Sequence, residues 1–399
     1  MTHLPEACDV LIVGAGPAGL AAAAVLAAGG GSVHVLEREP EAGGIPRHCA
    51  HSPYGLREFR RLLRGPAYAR RLVAAAAGAH LHTDATVTAL YPGGRVALTK
   101  PAGPAEIRAR AVLLATGCRE TPRWPRLVGG TRPGGVLTTG ALQGLVHLDG
   151  LRPFARPVIV GTELVAFSAL LTCREAGIRP LAMVEAGDRI TARAPLRLLA
   201  AALGVPVLLG TELSAIHGRA RVEAVTLADA AGPRDLPTDG VVFTGRFRPE
   251  NALLRDSQLA IDPGTLGPVV DQYGRCSDPA YFAAGNLLRG VETAGWCWAE
   301  GGAVAGAVVA SLAGRLPPPE PAVPVTLATD ALAWVLPQRL AAAGADPAFA
   351  RLQLRAARPL DGVLAAGARR SRLRSRPERR ITSALPDPAA AATVRLEPR

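Results

Sequence analysis

A glycine-rich loop near the start of the chain has the residue types and spacing best suited to chemistry. Residues 14–19 read Gly-Ala-Gly-Pro-Ala-Gly. Gly14 permits a tight turn, Gly16 has no Cβ and so lets a pyrophosphate reach the backbone, and Gly19 lets a helix pack closely on a strand. The N-terminus of that helix offers free N–H groups and the positive end of a dipole to phosphates. The loop therefore predicts a dinucleotide-binding site.

The elements predicted around this loop match what such a site needs. Residues 9–13 are a short apolar run that predicts a buried parallel strand, and residues 20–28 are strong helix formers. A second apolar strand, 33–36, ends at Glu37, which follows Gly19 by 18 residues and could accept hydrogen bonds from a ribose. The same glycines also occur in turns of α/β proteins that bind no nucleotide, but strand, helix, strand and acid together favour dinucleotide binding.

Three further short motifs separate FAD from NAD as the ligand. Gly43-Gly44 follows the acid-ended strand, Ala115-Thr116-Gly117 ends a later strand, and Ala283-Ala284-Gly285-Asn286 lies near the end of the same unit. With the glycine-rich loop, they make residues 8–315 resemble the flavoproteins with two dinucleotide-binding domains, the glutathione- and thioredoxin-reductase-like superfamily. The resemblance implies an oxidoreductase that binds FAD non-covalently.

The resemblance also implies which residues contact FAD. Val87 would meet the adenine through its backbone, and Asn286 stands where the family usually has an aspartate that binds the ribityl chain. Asparagine keeps an acceptor and adds donors, so we still expect a contact there. The helix after Gly295 would direct its N-terminus at the flavin pyrimidine ring. The implied cofactor-binding residues are Gly14, Gly16, Pro17, Ala18, Gly19, Glu37, Arg38, Gly44, Arg47, Val87, Ala115, Thr116, Gly117, Gly285, Asn286, Ala294 and Gly295.

A second strand–loop–helix–strand unit begins at residues 157–161 and resembles the first, so the chain contains a diverged internal repeat. Its loop has Glu163 where the second glycine should stand, and a carboxylate there would crowd and repel a pyrophosphate. Glu185 ends the next strand and could still bind a ribose. We therefore expect nicotinamide binding to be weakened or lost, which makes NAD(P) a doubtful cofactor. The other interpretation is that Glu163 rotates away and NAD(H) still binds.

These patterns predict an α/β protein with two Rossmann-like dinucleotide-binding domains, the first discontinuous and the second inserted into it. We expect residues 1–150 and 239–316 to form the FAD-binding domain and 151–238 the NAD(P)-like domain with the degenerate fingerprint. Residues 316–319, Leu-Pro-Pro-Pro, are typical of a linker. Residues 320–399 are expected to form a separate small C-terminal module, with a pattern that is compatible with strands.

Two residues that follow the Gly-Gly doublet are candidates for catalysis. His48 could move a proton at neutral pH, and Cys49 could be a nucleophile if a neighbouring cation lowers its pKa. The alternatives are that Arg47 and His48 only hydrogen-bond the cofactor or the loop and that Cys49 is a small buried filler. Trp296 and Trp298 could line a substrate pocket or pack in the core at the start of a helix.

Within the superfamily, residues 43–49, 115–122 and 292–296 resemble one branch, the FAD-containing subunits of heteromeric bacterial dehydrogenases and oxidases. This branch includes opine oxidase, hydrogen cyanide synthase, hydroxyproline dehydrogenase and the α subunit of sarcosine oxidase. The resemblance implies oxidation of an amine, an amino acid or a related metabolite. The implied partners are an iron–sulfur protein and a second flavoprotein subunit. No cysteine follows Cys297, so a [2Fe-2S] cluster would lie on a separate partner. The alternatives are a self-sufficient NAD(P)H-dependent flavin reductase and a non-enzymatic scaffold subunit whose FAD is structural.

The composition argues against nucleic-acid binding and against sites built from cysteines. The net charge is +12, but Lys100 is the only lysine, and such an arginine bias favours genome composition over a nucleic-acid-binding role. The six cysteines are widely spaced and form no C-x-x-C pair. This spacing argues against a disulfide framework, a metal site, an iron–sulfur cluster and a dithiol mechanism.

One segment concentrates the positive charge. Arg369–Arg380 contains seven arginines in twelve residues and no aromatic residue, which argues against nucleic-acid binding. It could dock an acidic partner or a membrane surface, or it could be a solvated strand edge. The apolar runs 10–28 and 302–314 are broken by glycines and fall short of the ~20 residues that span a bilayer. With no basic region typical of a secretory signal, a cytoplasmic protein is expected.

Overall fold

The computed structural model describes residues 4–193, 196–387 and 392–397. The first unit is built on a sheet whose central strands are the apolar runs seen in the sequence. Its elements are β1 (Ala7–Val13), α1 (Pro17–Ala28), β2 (Val33–Leu36), α2 (Gly65–Ala75), β3 (His80–His82), β4 (Thr86–Tyr91), β5 (Arg95–Lys100) and β6 (Gly103–Leu114). The strand order is β3-β2-β1-β6-β5-β4. Strands β3, β2, β1 and β6 pair in parallel, whereas β4, β5 and β6 form an antiparallel meander.

The second unit contains the diverged repeat. Its elements, in chain order, are β7 (Cys118–Glu120), β8 (Gly129–Gly130), β9 (Val136–Thr138), α3 (Thr139–His147), β10 (Pro157–Val160), α4 (Leu164–Glu175), β11 (Ala182–Glu185), α5 (Arg197–Ala202), β12 (Val207–Leu209), β13 (Glu212–His217), β14 (Ala224–Asp229), β15 (Gly232–Pro237) and β16 (Gly240–Phe243). A parallel sheet has the order β12-β11-β10-β16-β9, and a second sheet has the order β15-β14-β13-β8.

The extent of the second unit differs from the span 151–238 that the sequence suggested. Strand β16 pairs in parallel with β10, and Val241–Phe243 pair with Val136–Thr138 of β9 on the other side. Both strands therefore belong to the second sheet, although each lies outside the predicted span. A short apolar strand fits the interior of either sheet, and the long-range pairing that decides between them leaves no mark on the local sequence.

The chain then returns to the first unit through β17 (Phe247–Pro249), α6 (Ala252–Arg255), β18 (Tyr281–Ala283) and α7 (Ala294–Leu312). Strand β17 pairs with β7, and β18 joins the first sheet beside β6. Helix α7 packs on α1, where a Cβ on Gly301 would lie 2.1 Å from the carbonyl oxygen of Ala18. Only glycine permits this close helix contact. The discontinuous first domain and the inserted second domain are thus as predicted.

The C-terminal module consists of strands, namely β19 (Val323–Leu327), β20 (Leu332–Leu336), β21 (Arg339–Leu340), β22 (Arg351–Ala356), β23 (Leu360–Ala366), β24 (Arg369–Ser375), β25 (Arg380–Ala384) and β26 (Ala392–Glu397). They form two sheets, β21-β19-β26-β23-β24 and β20-β22-β25. The module is not separate, because Trp334, Leu336 and Phe349 lie in the core of the first unit. Among the described residues, no helix is long and apolar enough to cross a membrane.

Candidate dinucleotide site

The glycine-rich loop lies where the carboxyl ends of parallel strands meet. Gly14 follows β1 with a φ of +103°, and a Cβ on it would lie 2.6 Å from the carbonyl oxygen of Ala115, just beyond β6. A Cβ on Gly19 would lie 1.9 Å from the carbonyl oxygen of Gly14. The chain's own backbone fills the space beside both glycines. These two positions therefore shape the loop and admit no side chain.

Gly16 differs from both, since a Cβ there would meet no atom within 4 Å. A glycine is therefore not required at this position to avoid a clash within the chain. The free space beside it would let a ligand approach the backbone. Gly44 closes the opposite side of this opening, because a Cβ on it would lie 2.8 Å from the Cα of Gly16. Helix α1 begins at Pro17, where the missing N–H costs nothing, and the first-turn N–H groups have no partner within a helix. The opening fits a pyrophosphate.

Glu37 lies buried just beyond the carboxyl end of β2, with its carboxylate turned toward the glycine-rich loop. Its Oε2 accepts a hydrogen bond from the N–H of Ala15 at 2.9 Å, and its Oε1 accepts one from the N–H of Glu39 at 3.0 Å. A carboxylate has about four acceptor positions, so capacity for ribose hydroxyls remains. Arg38 is exposed and pairs with Glu39 at 3.7 Å. The placement of Glu37 fits an adenosine ribose beside the pyrophosphate opening.

The other glycine motifs converge on the same end of the sheet. Thr116 follows β6, and its Oγ1 donates to the carbonyl oxygen of Glu250 at 2.9 Å. Gly117 has a φ of +76°, and Gly285 has a φ of +74° just beyond β18. A Cβ on Gly285 would lie 2.8 Å from the Cβ of Ala18, in the first turn of α1. The structure therefore brings together motifs that lie far apart in the sequence.

Two of the predicted FAD contacts have other partners or lie in the sheet. The side chain of Asn286 is bonded within the chain, since Nδ2 donates to the carbonyl oxygen of Glu292 at 3.1 Å and Oδ1 accepts from its N–H at 2.7 Å. These bonds close the loop that leads into α7. Val87 lies in β4 and pairs with Leu98 of β5. A contact from Asn286 or from the Val87 backbone to FAD stays a prediction.

The N-terminus of α7, at Ala294 and Gly295, has a neighbour that the sequence did not reveal. A Cβ on Gly295 would lie 2.5 Å from Oε1 of Glu58, and the same oxygen accepts a hydrogen bond from the Tyr68 hydroxyl at 2.6 Å. Burial and this hydrogen bond raise the pKa of Tyr68. No local pattern around Glu58 could have indicated this contact.

Trp296 lies between two guanidinium groups at the start of α7. Arg57 lies 3.6 Å from the centre of its ring and Arg380, from the C-terminal module, lies 4.0 Å away. Arg380 also pairs with Glu292 at 2.5 Å. Trp298 instead packs against Phe59, and both rings are partly buried against the core of the first unit. The C-terminal module therefore contributes a side chain to the surroundings of this helix end.

The two catalytic candidates lie at the end of a short 3-10 turn, which spans Ile45–His48 and which Cys49 directly follows. The Cys49 thiol donates to Oε1 of Gln143 at 3.3 Å, and burial raises its pKa to about 11. This thiol is therefore not a thiolate at neutral pH, which fits the interpretation of a buried filler. Burial, followed by the charge of Arg47, lowers the pKa of His48 to about 4. Its buried Nδ1 has no hydrogen-bond partner among the described residues, and a proton-transfer role for His48 stays a prediction.

Arg47 itself lies at the edge of this turn. Its Nη1 donates to the carbonyl oxygen of Glu41 at 2.9 Å, and its Nε lies 3.4 Å from the Glu41 carboxylate. The aliphatic part of the side chain packs on Gly43, where a Cβ would lie 3.0 Å from Cγ of Arg47. The arginine thus anchors the turn to the Gly-Gly doublet. Its predicted contact with the cofactor stays a prediction.

In the second unit, the carboxylate of Glu163 lies between the loops that leave β10 and β16. A Cβ on Gly161 would lie 2.7 Å from its Oε2, and a Cβ on Gly245 would lie 2.5 Å from its Oε1. Open α/β sheets bind nucleotides in this crevice, at the carboxyl ends of the strands. Burial raises the pKa of Glu163, and its Oε1 has no hydrogen-bond partner among the described residues.

Two further carboxylates near this crevice have partners within the chain. Oε2 of Glu185, the predicted ribose ligand, accepts a hydrogen bond from the hydroxyl of Thr162. The sequence predicted no role for Glu120 of β7. Its carboxylate accepts a hydrogen bond at 2.8 Å from the N–H of Gly140, which lies in the first turn of α3. Burial raises the pKa of Glu120, and the neighbouring charge of Glu163 adds to this effect. Buried acidic groups therefore surround the position where a second pyrophosphate would bind.

Comparison with known families decides the class of this fold. The family model described as pyridine nucleotide-disulphide oxidoreductase matches residues 8–301. The chain belongs to this family. Its members are FAD-binding flavoproteins, so the chain is an FAD-dependent oxidoreductase, as the glycine motifs predicted. Among the described residues, no group of histidine, cysteine and acidic side chains is arranged to hold a metal ion.

Curated relatives include components of two oxidases. The chain is 28% identical to an opine oxidase subunit of Agrobacterium tumefaciens (strain Ach5) over 350 residues, which cover 79% of this chain and 65% of that protein. It is 28% identical to the alpha subunit of sarcosine oxidase from Corynebacterium sp. (strain P-1), over 84% of this chain and 36% of that protein. It is also 30% identical to ferredoxin–NADP reductase of Saccharopolyspora erythraea, over 72% of this chain and 87% of that protein.

Solved structures confirm the predicted fold. Thioredoxin reductase of T. acidophilum superposes with a TM-score of 0.65 at 22% identity and covers 77% of this chain and 99% of its own. L-proline dehydrogenase from P. horikoshii superposes with a TM-score of 0.61 at 19% identity, over 77% of this chain and 56% of its own. The two-domain dinucleotide-binding architecture is therefore shared with known flavoenzyme structures.

Proposed function

We propose that the chain is the FAD subunit of a heteromeric dehydrogenase that oxidises an amine, an amino acid or a similar small metabolite. Similarity to the opine oxidase and sarcosine oxidase proteins supports this, since both are named as subunits of larger enzymes. The chain spans 65% of the first relative and 36% of the second. In this proposal the partners are a separate [2Fe-2S] protein and a second flavoprotein subunit, and the location is the cytoplasm.

The observation that carries the proposal is the buried carboxylate of Glu163 in the second crevice. The side chain fills the space beside Gly161 and Gly245, so a phosphate can enter only if Glu163 moves, and in its ionised form the carboxylate would also repel the phosphate. Glu120 adds a second acid to the same crevice. The proposal therefore directs electrons from FAD to a protein partner and leaves NAD(P) as a doubtful cofactor.

The residues of the first unit have distinct tasks in the proposal. Residues 14–19 and the start of α1 hold the FAD pyrophosphate, and Glu37 holds the adenosine ribose. FAD, when bound, supplies the electron-accepting chemistry that no side chain has. The N-terminus of α7 stabilises negative charge that develops near it. Burial lowers the pKa of His48 to about 4, so its imidazole is neutral at neutral pH and would take up a proton only if a bound ligand raised that pKa.

The first test uses the purified chain with bound FAD, without oxygen. Addition of NADH or NADPH should leave the flavin absorbance at about 450 nm unchanged over minutes, while dithionite bleaches it. The chain should be inactive alone toward amines and amino acids and should become active when co-expressed with the products of adjacent genes. Full turnover by the isolated chain would contradict the proposal of a heteromeric enzyme.

A second candidate is a self-sufficient NAD(P)H-dependent flavin reductase. The observation in its favour is the similarity to ferredoxin–NADP reductase, which covers 87% of that protein. In this case Glu163 must rotate out of the crevice before a nicotinamide nucleotide binds. Rapid anaerobic bleaching of the flavin by NADH or NADPH would establish it and would overturn the role given to Glu163.

A further inference from the structure

A short turn after β7 exposes two large apolar side chains. Trp124 begins the 3-10 turn with 72% of its surface accessible, and Leu127, directly after it, has 88% accessible. Leu127 also has a φ of +57°, which residues other than glycine rarely adopt. Single apolar residues on a surface are ordinary, but two on one strained turn form a local apolar projection.

Two cavities border this turn. One, of about 260 Å³, lies on the side of Pro125 and extends to Trp334 of the C-terminal module. The other, of about 370 Å³, lies on the side of Pro122 and extends to Arg132. A projecting tryptophan with hollows beside it has the shape of a protein interface, where aromatic anchors and the pockets that receive them supply most of the binding energy.

The surroundings of the turn are strongly basic. Four exposed arginines lie around it, namely Arg119, Arg132, Arg246 and Arg248. Glu250 pairs with the first of them at 3.4 Å. The other three side chains have no hydrogen bond or ion pair with any described residue. An apolar centre inside an incompletely neutralised arginine rim is complementary to a protein with an acidic rim.

This surface also adjoins the first dinucleotide site. Strand β7 starts one residue after Gly117, so the turn follows directly from a predicted FAD-contacting segment. Strand β17, which pairs with β7, contacts the loop that follows Asn286. A Cβ on Gly290 of this loop would lie 2.7 Å from the Cβ of Phe247 in β17. Gly290 lies four residues after Asn286. A protein bound at the turn would therefore lie next to the elements that surround the cofactor.

We infer that Trp124, Leu127 and the surrounding arginines form the docking surface for an acidic electron-carrier protein that exchanges electrons with the FAD. The inference rests on the proposed function, in which electrons move between FAD and a protein partner. The other basic surface, the edge strand β24, presents Arg370 and Arg372 but no exposed large apolar residue within the strand. Charge without an anchor steers encounters but supplies little binding energy.

The test uses the full-length FAD-loaded chain and, as the probe, an acidic plant-type [2Fe-2S] ferredoxin reduced without oxygen. Stopped-flow absorbance follows flavin reduction, so neither substrate nor NAD(P)H is needed. The second-order rate constant of the wild type should fall steeply as salt rises from about 20 to about 300 mM. Trp124→Ala and the double variant Arg246→Gln with Arg248→Gln should each lower it by about tenfold at low salt.

Matched variants separate docking from general damage. Leu198→Ser removes a residue of α5 that is 63% exposed, and Arg370→Gln with Arg372→Gln removes equal charge from β24; both should keep the wild-type rate. All variants should keep their FAD and its reduction by dithionite. Wild-type rates in the Trp124 and Arg246 variants, or a loss confined to the β24 variant, would overturn the inference.

The two proposals fail in different ways in these measurements. Flavin bleaching by NADH would remove the proposed function and leave the ferredoxin result standing. Unchanged ferredoxin rates in the turn variants, with NADH still inactive, would remove the docking surface alone. A wild-type chain that reduced ferredoxin cannot reduce at all would also overturn the inference.

Discussion

Glu163 and Gly245 face each other across the carboxyl ends of β10 and β16, so closely that a Cβ on Gly245 would lie 2.5 Å from Oε1 of Glu163. Gly245 also has a φ of +63°, which favours glycine independently. The Glu163 carboxyl group therefore lies in the crevice of the second unit where, in the proposed function, it keeps a ligand phosphate out. Counting the fingerprint glycines shows only that one is absent from the second unit. It does not show that the residue in its place, Glu163, fills the crevice.

Replacement of Glu163 by glycine should reopen the crevice. The substitution restores the fingerprint glycine and removes the carboxyl group that fills the crevice, so affinity for NADH or NADPH should rise at least about tenfold, equivalent to ~1.4 kcal/mol. Anaerobic titration with isothermal calorimetry, or flavin bleaching, measures the change. Glu223→Gly serves as the control, since it removes an exposed acid of the second unit and leaves Glu163 in place. An affinity for nucleotide that does not change in the glycine variant would show that Glu163 is not the obstacle.

The same carboxylate should make stability depend on pH. Burial raises the pKa of Glu163, so the folded chain holds this proton more tightly than the unfolded chain. Its contribution to stability is therefore present below the unfolded pKa and is lost as pH rises through the folded pKa. Glu163→Gln should raise the melting temperature at neutral pH by about 2 °C and flatten its pH dependence. Calorimetry measures both; a lower melting temperature at neutral pH would contradict the assignment.

Two glycines of the first loop should behave in opposite ways when replaced by valine. A Cβ on Gly16 meets no atom within 4 Å, so Gly16→Val should fold normally but lose FAD affinity by about 100-fold or more. A Cβ on Gly19 would lie 1.9 Å from Gly14, so Gly19→Val should fail to fold or melt far earlier. Circular dichroism and FAD fluorescence separate the two outcomes. Tight FAD binding by a folded Gly16→Val variant would show that no pyrophosphate approaches this position.

Local sequence patterns predicted the glycine-rich loop and its flanking elements, but not the contacts that depend on long-range packing. The loop at residues 14–19, Glu37 and helix α7 follow from periodicity and glycine spacing, and the structure places them as predicted. The partners of Val136–Thr138 and Val241–Phe243 depend on long-range pairing, so the predicted bounds placed both strands in the wrong unit. Glu58 was missed because its neighbour Gly295 is distant in the chain, and no pattern marks such contacts.

Long-range packing also decided how the C-terminal module is attached. The sequence indicates a proline-rich linker and a strand pattern, which suggested an independent unit. In the structure, the N–H of Val270 donates to Oε1 of Gln338 at 3.0 Å, and Gln272 bonds the backbone of Ala341. A proline-rich connection therefore does not predict whether the segment after it packs against the preceding domain.

Cys49 should be unreactive in the native protein. Its pKa is raised to about 11 by burial, so about one thiol in 10⁴ is a thiolate at pH 7. Iodoacetamide should therefore label it in the unfolded chain and leave it largely intact in the native one, as peptide mass spectrometry would record. Cys49→Ser should keep the FAD content and the rate of flavin reduction by dithionite. Fast native labelling at Cys49 would instead support the nucleophile interpretation.

Acid should weaken the first unit at a pair of buried histidines. Nδ1 of His34 and Nε2 of His82 lie 2.9 Å apart, and one must donate while the other accepts, so the pair requires at least one neutral ring. Burial lowers the pKa of His34, and burial with the charges of His34, Lys100 and His80 lowers that of His82 to about 4. The carbonyl oxygen of His82 also accepts the N–H of Glu37 at 2.8 Å. Loss of the histidine pair should therefore also displace Glu37, the carboxylate expected to bind the ribose.

Protonation of His34 and His82 favours the unfolded chain, so stability should fall in acid. In the unfolded chain each ring titrates near pH ~6.5, so between about pH 6.5 and pH 4 the unfolded state binds more protons than the folded one. Stability is thus complete above about pH 6.5 and falls as the pH drops toward 4. Melting temperature and FAD retention should decline together over this range. The double variant His34→Gln with His82→Gln should decline less steeply, whereas His217→Gln, in the second unit, should follow the wild type. A wild-type slope in the double variant would assign the acid sensitivity to other groups.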